Sequence, residues 1–132
     1  MNYLLDTHIL LWLRLDSKRV SAEHRAIVHD QAHEKYVSPI SFWEISLKYA
    51  LGKLELGGHT PEIFMESAIA LGFKMAELTP QQFASFHNLP AMPGHKDPFD
   101  RMLIWQAMQS KMTLMSSDAK LSDYQISGLK LA

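Results

Sequence analysis

MNYLLDTHILLWLRL, residues 1–15, holds a strand, a turn and a helix in one unbroken run. Met1–Leu5 is a short apolar stretch that stops at Asp6 and reads as a buried strand. Thr7–Leu15 follows at once, rich in Leu and carrying Trp12, and reads as a helix. A strand that feeds straight into a helix opens a βα unit, and the rest of the chain continues the alternation. Ser21–Glu34 reads as a second helix with Ser21 as N-cap, and Lys35–Ser38 as a short strand. Ser41–Leu51 reads as a helix ended by Gly52. Pro61–Leu71 is a helix with Thr60 as N-cap and Pro61 at its first position. Phe73–Leu78 is a strand, Thr79–His87 a helix, and Asn88–Lys96, with Pro90, Pro93 and Gly94, a loop. Pro98–Lys111 is a helix capped by Asp97, Met112–Ser116 a strand, Ala119–Tyr124 a short helix, and Leu129–Leu131 a last strand. Strands alternating with helices predict an α/β fold, an open parallel sheet of about five strands flanked by helices. In such sheets ligands bind beyond the carboxyl ends of the strands, where the strand order reverses.

The 132 residues fit one domain, residues 1–132. Hydrophobic residues make up 47%, enough for a real core and too many for a disordered chain. There is no cysteine, which excludes disulfides and thiolate metal sites. MNYLLD lacks the basic n-region of a signal peptide, and no run approaches the roughly 18 apolar residues of a membrane span. The cytoplasm is therefore the expected compartment, with no membrane partner. The formal net charge is −1. Proteins that grip nucleic acid by its phosphates usually carry a basic excess, but a bound metal ion can supply positive charge locally.

The acids fall in informative places. Asp6 ends the first strand, and Asp118 lies just past the strand Met112–Ser116, so both belong at the carboxyl edge of the sheet. Each could instead cap the helix that follows it. Glu44 shares a helical stripe with Ile40, Leu47 and Leu51, and Asp100 shares one with Leu103, Ile104 and Ala107. A carboxylate on a buried face is costly unless an arginine, a helix N-terminus or a metal compensates it. Asp100 lies near its helix N-terminus; Glu44 has no such neighbour in sequence. Carboxylates brought together repel one another strongly, and a divalent cation removes that repulsion. All-oxygen ligands select hard ions, Mg²⁺ or Mn²⁺, whose chemistry is hydrolysis or transfer at phosphate esters. Asp6, Glu44, Asp100 and Asp118 are thus the candidate metal ligands and catalytic residues.

Four segments carry a family resemblance: Tyr3-Leu4-Leu5-Asp6-Thr7-His8, Ile40-Ser41-Phe42-Trp43-Glu44-Ile45, His95-Lys96-Asp97-Pro98-Phe99-Asp100-Arg101-Met102-Leu103, and Ser116-Ser117-Asp118. In order and spacing they resemble a PIN-domain nuclease of the VapC toxin type, over essentially the whole chain. The HxDPFDR segment is the most specific piece and the LLDT opening the next. The resemblance implies a parallel sheet flanked by helices and a magnesium-dependent endoribonuclease acting on RNA. It also implies a cognate antitoxin whose C-terminal segment lies across the toxin. The family's acids map in order onto Asp6, Glu44, Asp100 and Asp118. Asp97 has two readings, ligand or helix cap, and Pro98 after it favours the cap.

Other residues are weighed the same way. Thr7 and Ser116 could orient an acid or a metal-bound water, or simply cap a helix or bond at a strand end. His95, Lys96 and Arg101 could meet RNA phosphates, or His95 and Lys96 could be loop residues facing water. His29 and His33 have the i, i+4 spacing of a zinc pair but no evident third ligand. The first helix is apolar on nearly every side, so the part not facing the core is either buried too or forms a partner groove or homodimer surface; a homodimer is the expectation. Two other classes compete with a nuclease. A phosphoacceptor module would need a mid-chain acceptor Asp and a late Lys at a strand end, and a haloacid-dehalogenase-like phosphatase would need an acid where His8 stands. A non-catalytic binding module is the third.

Overall fold

The structure is a computed structural model that describes residues 1–132. Its centre is a five-stranded parallel sheet. The strands are β1 (Asn2–Leu5), β2 (Glu34–Val37), β3 (Lys74–Met75), β4 (Thr113–Met115) and β5 (Lys130–Leu131), in the order β3-β2-β1-β4-β5. Tyr3 pairs with Lys35 on one side and Thr113 on the other, and Leu114 pairs with Leu131. Successive strands move outward from β1 in one direction and then jump back to its other side at β4. The order therefore reverses between β1 and β4, and the crevice this leaves lies beyond their carboxyl ends.

Six α-helices accompany the sheet: α1 (Thr7–Leu15), α2 (Ala22–His29), α3 (Pro39–Ala50), α4 (Pro61–Ala70), α5 (Pro80–Ala84) and α6 (Pro98–Ser110). The period-2 geometry of β1 splits the core in two. Tyr3 and Leu5 pack with Ile9, Leu10, Ile45 and Phe64 on one face. Leu4 packs with Leu103, Ile104, Leu114 and Tyr124 on the other. A parallel sheet covered on both faces explains why Tyr3-Leu4-Leu5 and Leu114-Met115 run apolar without alternating. No helix is long and apolar enough to cross a membrane.

Several boundaries differ from the sequence expectation, each for a local reason. The second helix ends at His29 rather than Glu34. Asp30 accepts a hydrogen bond from the Ala32 N–H at 2.9 Å, the Asx-type turn that competes with helix. The freed residues then begin β2 at Glu34, one position early. Ser38, not the end of a strand, is the N-cap of α3, accepting from the Ile40 N–H at 3.1 Å, with Pro39 at the first position. The expected strand Phe73–Leu78 shrinks to Lys74–Met75 because it is an edge strand paired only with β2. Thr79 starts α5 through a reciprocal capping box with Gln82, but the helix tightens into a 3₁₀ turn at Ser85–Asn88. Residues Ala119–Ser127 are likewise 3₁₀, ended by Gly128 at φ +109°.

Candidate active site

The β1/β4 crevice collects acids from three elements, with a fourth, Glu44, in an adjoining hollow. Asp6 follows β1 directly. Its backbone N–H donates to the Met115 carbonyl at 3.0 Å, which ties it to the end of β4. Its carboxylate caps α1 by accepting from the Ile9 N–H at 2.8 Å. Burial pushes the Asp6 carboxyl above its ordinary range, and Glu44 adds to that rise. The Ser116 side chain and the Ile9 N–H pull the other way. Asp118 follows β4 and is exposed. It caps the 3₁₀ turn through the Lys120 N–H at 2.9 Å, while its own N–H donates to Ser116 Oγ at 3.1 Å. Both strand-end acids therefore cap, as the simpler reading of each held, and both also line the crevice.

Asp100 enters from the first turn of α6, on the same stripe as the buried Leu103, Ile104 and Ala107. Its carboxyl is pushed up to about 7, first by burial and then by Asp97, Glu44, Asp6 and Asp118. Acids distant in sequence thus act on one carboxyl, which is direct electrostatic convergence. Asp6, Asp100 and Asp118 line a single hollow of about 410 Å³, together with His8, Trp12, Arg19 and Ser116.

Glu44 departs from expectation. It is completely buried, but Leu47 and Leu51, its supposed stripe mates, are exposed. The buried face of α3 is Ile40, Ser41, Glu44 and Ile45. Glu44 also has a partner: Lys48, one turn on, donates to Oε2 at 2.5 Å, while Oε1 is buried without a partner. That i, i+4 pair stands in the sequence and supplies the neighbour the sequence reading denied it. Glu44 lines an adjoining hollow of about 360 Å³ that shares His8 and Trp12 with the first.

His95 is not a solvated loop residue. The turn Met92–His95, with Gly94 at φ +76°, folds it inward until 8% of it remains exposed. A His95 ring nitrogen and one carboxylate oxygen each of Asp100 and Asp118 lie within 4.8 Å of one another. Sequence reasoning also missed Arg19, whose guanidinium lies 4.4 Å above the Trp12 ring at the rim of the hollow. No spacing rule connects it to the acids. Other candidates resolve plainly. Arg101 turns inward, toward the Leu89 and Pro90 carbonyls, and does not face solvent RNA. Thr7 donates to Ser41 Oγ at 3.0 Å and ties α1 to α3. His29 ends α2 and His33 lies beyond it beside Asp30 and Tyr3, so their spacing is not helical and makes no zinc pair. The first helix buries Ile9, Leu10 and Leu11 and leaves only Leu15 well exposed among its large apolar residues, so near-complete burial wins over a broad partner groove.

A carboxylate set that raises its own proton affinity, with a buried and unpartnered Glu44 Oε1 behind it, fits a small hard cation. The set is rich in oxygen and has no sulfur, which also suits Mg²⁺ or Mn²⁺ over softer metals.

The family model of the PIN domain matches residues 3–126. No curated protein sequence matches the chain. Among solved structures, VapBC2 from Rickettsia felis bound to a DNA fragment from their promoter aligns at 14% identity and TM-score 0.71, covering 100% of this chain and 98% of that one. VapBC-1 from nontypeable Haemophilus influenzae aligns at 18% identity and TM-score 0.67, covering 100% and 97%. FitAcB from Neisseria gonorrhoeae aligns at 21% identity and TM-score 0.61, covering 98% and 95%. At these identities the likeness is one of fold.

Proposed function

The chain belongs to the PIN-domain family, and from that premise we propose that it is the toxin endoribonuclease of a toxin–antitoxin pair, hydrolysing RNA phosphodiester bonds with a divalent cation. The ion is Mg²⁺, with Mn²⁺ as the alternative, and the acids Asp6, Asp100, Asp118 and Glu44 are the residues that would hold it. One observation carries the reading: the carboxyl of Asp100 is raised to about 7 by burial and by four other acids. An enzyme has little use for such a cluster unless a cation neutralises it. When bound, the cation supplies Lewis-acid stabilisation of the negative charge that builds on the phosphoryl oxygens.

The chain's own groups do the rest. The Ile9 N–H holds the Asp6 carboxylate and the Lys120 N–H holds that of Asp118. Both acids are therefore oriented before any ligand arrives, which lowers the cost of assembling the site. Lys48 pairs with the Glu44 carboxylate, which has no exposure to water. Arg19, resting on Trp12, offers a guanidinium at the rim where an RNA phosphate would enter. That placement offsets an overall charge of −1. The VapBC and FitAcB likenesses support an antitoxin as partner. A homodimer belongs to the same proposal, supported by the exposed Trp43 and Phe83 beside an apolar hollow formed with Phe86 and Phe99.

The test is cleavage of RNA by the purified chain in Mg²⁺, repeated with chelator and with Asp100→Asn. Activity that needs the ion and falls by about 10²-fold or more in the variant is expected. Cleavage that persists in chelator sinks the metal reading, and cleavage unaffected by Asp100→Asn sinks the site. Intact RNA with no calorimetric metal binding replaces the nuclease with a binding module.

A further inference from the structure

Arg101 fixes the direction of a buried hydrogen-bond chain. A guanidinium has five N–H donors and no acceptor. Its Nη1 donates to the Tyr124 hydroxyl oxygen and to the Pro90 carbonyl, both at 3.2 Å, and its Nη2 donates to the Leu89 carbonyl at 3.2 Å. Tyr124 therefore accepts from Arg101, and its own hydroxyl proton must point elsewhere. Tyr124 is fully buried, and its other hydrogen-bond partner is His95 Nδ1 at 2.9 Å. A buried hydroxyl proton left without an acceptor is costly. Tyr124 thus donates and His95 Nδ1 accepts. In the neutral ring the proton then sits on Nε2.

We infer that His95 faces the acidic site with an Nε2–H, steering the nearby Asp100 and Asp118 carboxylates through its N–H dipole, and is not a third metal ligand beside them. Distance alone reads the other way, because the ring and the two carboxylates lie close enough to surround one ion. A metal-binding imidazole, however, needs a lone pair on the coordinating nitrogen, and it normally gives its other N–H to an acceptor. The other nitrogen here faces a donor. Nε2 is the ring's free nitrogen, buried and without a partner of its own. The Asp100 and Asp118 carboxylates lie within 4.8 Å of the ring, and Nε2 forms no hydrogen bond to them in this structure. An N–H dipole directed at them in a low-dielectric site favours one orientation and offsets part of the repulsion between the acids. The chain Arg101–Tyr124–His95 therefore links the loop carbonyls at Leu89 and Pro90 to the acidic cluster, and its direction is set at the guanidinium.

The positioning role rests on the metal-site reading above, but the tautomer does not, and the two are tested separately. The first arm uses the full, metal-free chain labelled with ¹⁵N-histidine at about pH 8, above the ordinary imidazole range. Long-range ¹H–¹⁵N correlation reads both ring nitrogens, and His95 is assigned by the signals lost in His95→Gln. The expected result is an unprotonated Nδ1 and a protonated Nε2. A protonated Nδ1, in a neutral or a doubly protonated ring, overturns the inference whether or not the chain binds metal. The second arm loads the chain with Mn²⁺ and uses pulsed electron paramagnetic resonance. No coupling to a directly bound imidazole ¹⁴N is expected from His95; a coupling that disappears in His95→Gln overturns it. The third compares Mn²⁺ affinity. His95→Phe, which keeps the ring volume but no donor, is expected to weaken binding by about tenfold, the usual scale for a group that orients ligands. His95→Gln, which keeps an N–H at similar reach, is expected to restore most of that loss. Equal loss in both variants, or loss in neither, overturns the positioning role. A chain that binds no Mn²⁺ but shows the Nε2–H tautomer defeats the metal reading and leaves the hydrogen-bond chain standing.

Discussion

At Asp100 the proposed divalent cation would compete with a proton for the same oxygens. The carboxyl is raised from 3.8 to about 7, with burial as the largest cause and the neighbouring acids next. A group whose folded pKa lies above its unfolded value stabilises the fold most at pH below the unfolded pKa. That contribution is lost as pH rises through the folded pKa. The metal-free protein should therefore lose stability between about pH 4 and pH 7 on account of Asp100. Asp100→Asn removes the titration. In chelator its unfolding free energy should gain on that of the wild type between about pH 4 and pH 7, by an amount on the order of 1 kcal/mol once its partial exposure is discounted. A gap that stays constant across that range would refute the assignment. Metal binding should show the converse: affinity falls below about pH 7 as the ion displaces a proton, and calorimetry in buffers of different ionisation heat reports that proton. Asp6 adds to the same trend, since burial raises it too.

At the scale of the element, α6 places the site by its cap. Asp97 accepts from both the Phe99 N–H at 2.8 Å and the Asp100 N–H at 3.2 Å, and Pro98 fills the first position, so the cap reading of Asp97 is the one the geometry supports. The same residue is the leading acid among the neighbours that raise Asp100. Two variants separate these effects. Asp97→Ala loses the cap and should cost about 1 kcal/mol in urea unfolding. Asp97→Asn keeps a capping oxygen but no charge; it should hold the stability and lower the Asp100 carboxyl, seen as a shift in its carboxyl carbon titration. Loss of Mn²⁺ binding in Asp97→Asn at unchanged stability would make Asp97 a ligand after all. The cap was readable from Asp97-Pro98 because N-terminal capping is settled within one turn of chain. The early end of α2 was harder to read, because the local bond from Ala32 to Asp30 outcompetes helical propensity that continues past it.

For the whole molecule, the unpartnered apolar surface lies on α3 and around α5 rather than on α1. Trp43 is 62% exposed and Phe83 50%, and with Ile40, Phe86, Phe99 and Met102 they frame an apolar hollow of about 220 Å³. Surface of this kind supports the proposed homodimer. Sedimentation at micromolar concentration should show a dimer, and Trp43→Glu should shift it to monomer with the melting temperature nearly unchanged. A wild-type monomer at every concentration would remove self-association from the proposal.

What the residues determine alone is what short-range physics decides. An apolar run that ends in an acid and passes into a helix needs a buried parallel strand. Caps at Ser21, Thr60, Thr79 and Asp97 act across one turn. The acids Asp6 and Asp118 fall at strand ends whatever the strand order. Tertiary structure decided the rest. The order β3-β2-β1-β4-β5 makes β1 and β4 neighbours, which brings Asp6 and Asp118 to one crevice. It also decided that Glu44 is buried while Leu47 and Leu51 are not, because helical spacing marks a face but not which face the sheet will cover. His95 changed most. Its partner Tyr124 is 29 residues away and Arg101 lies 23 residues from Tyr124, so no local pattern could show a loop histidine as buried, let alone where its proton sits. Hydrogen-bond direction belongs to the assembled network, and here it begins at a guanidinium that can only donate.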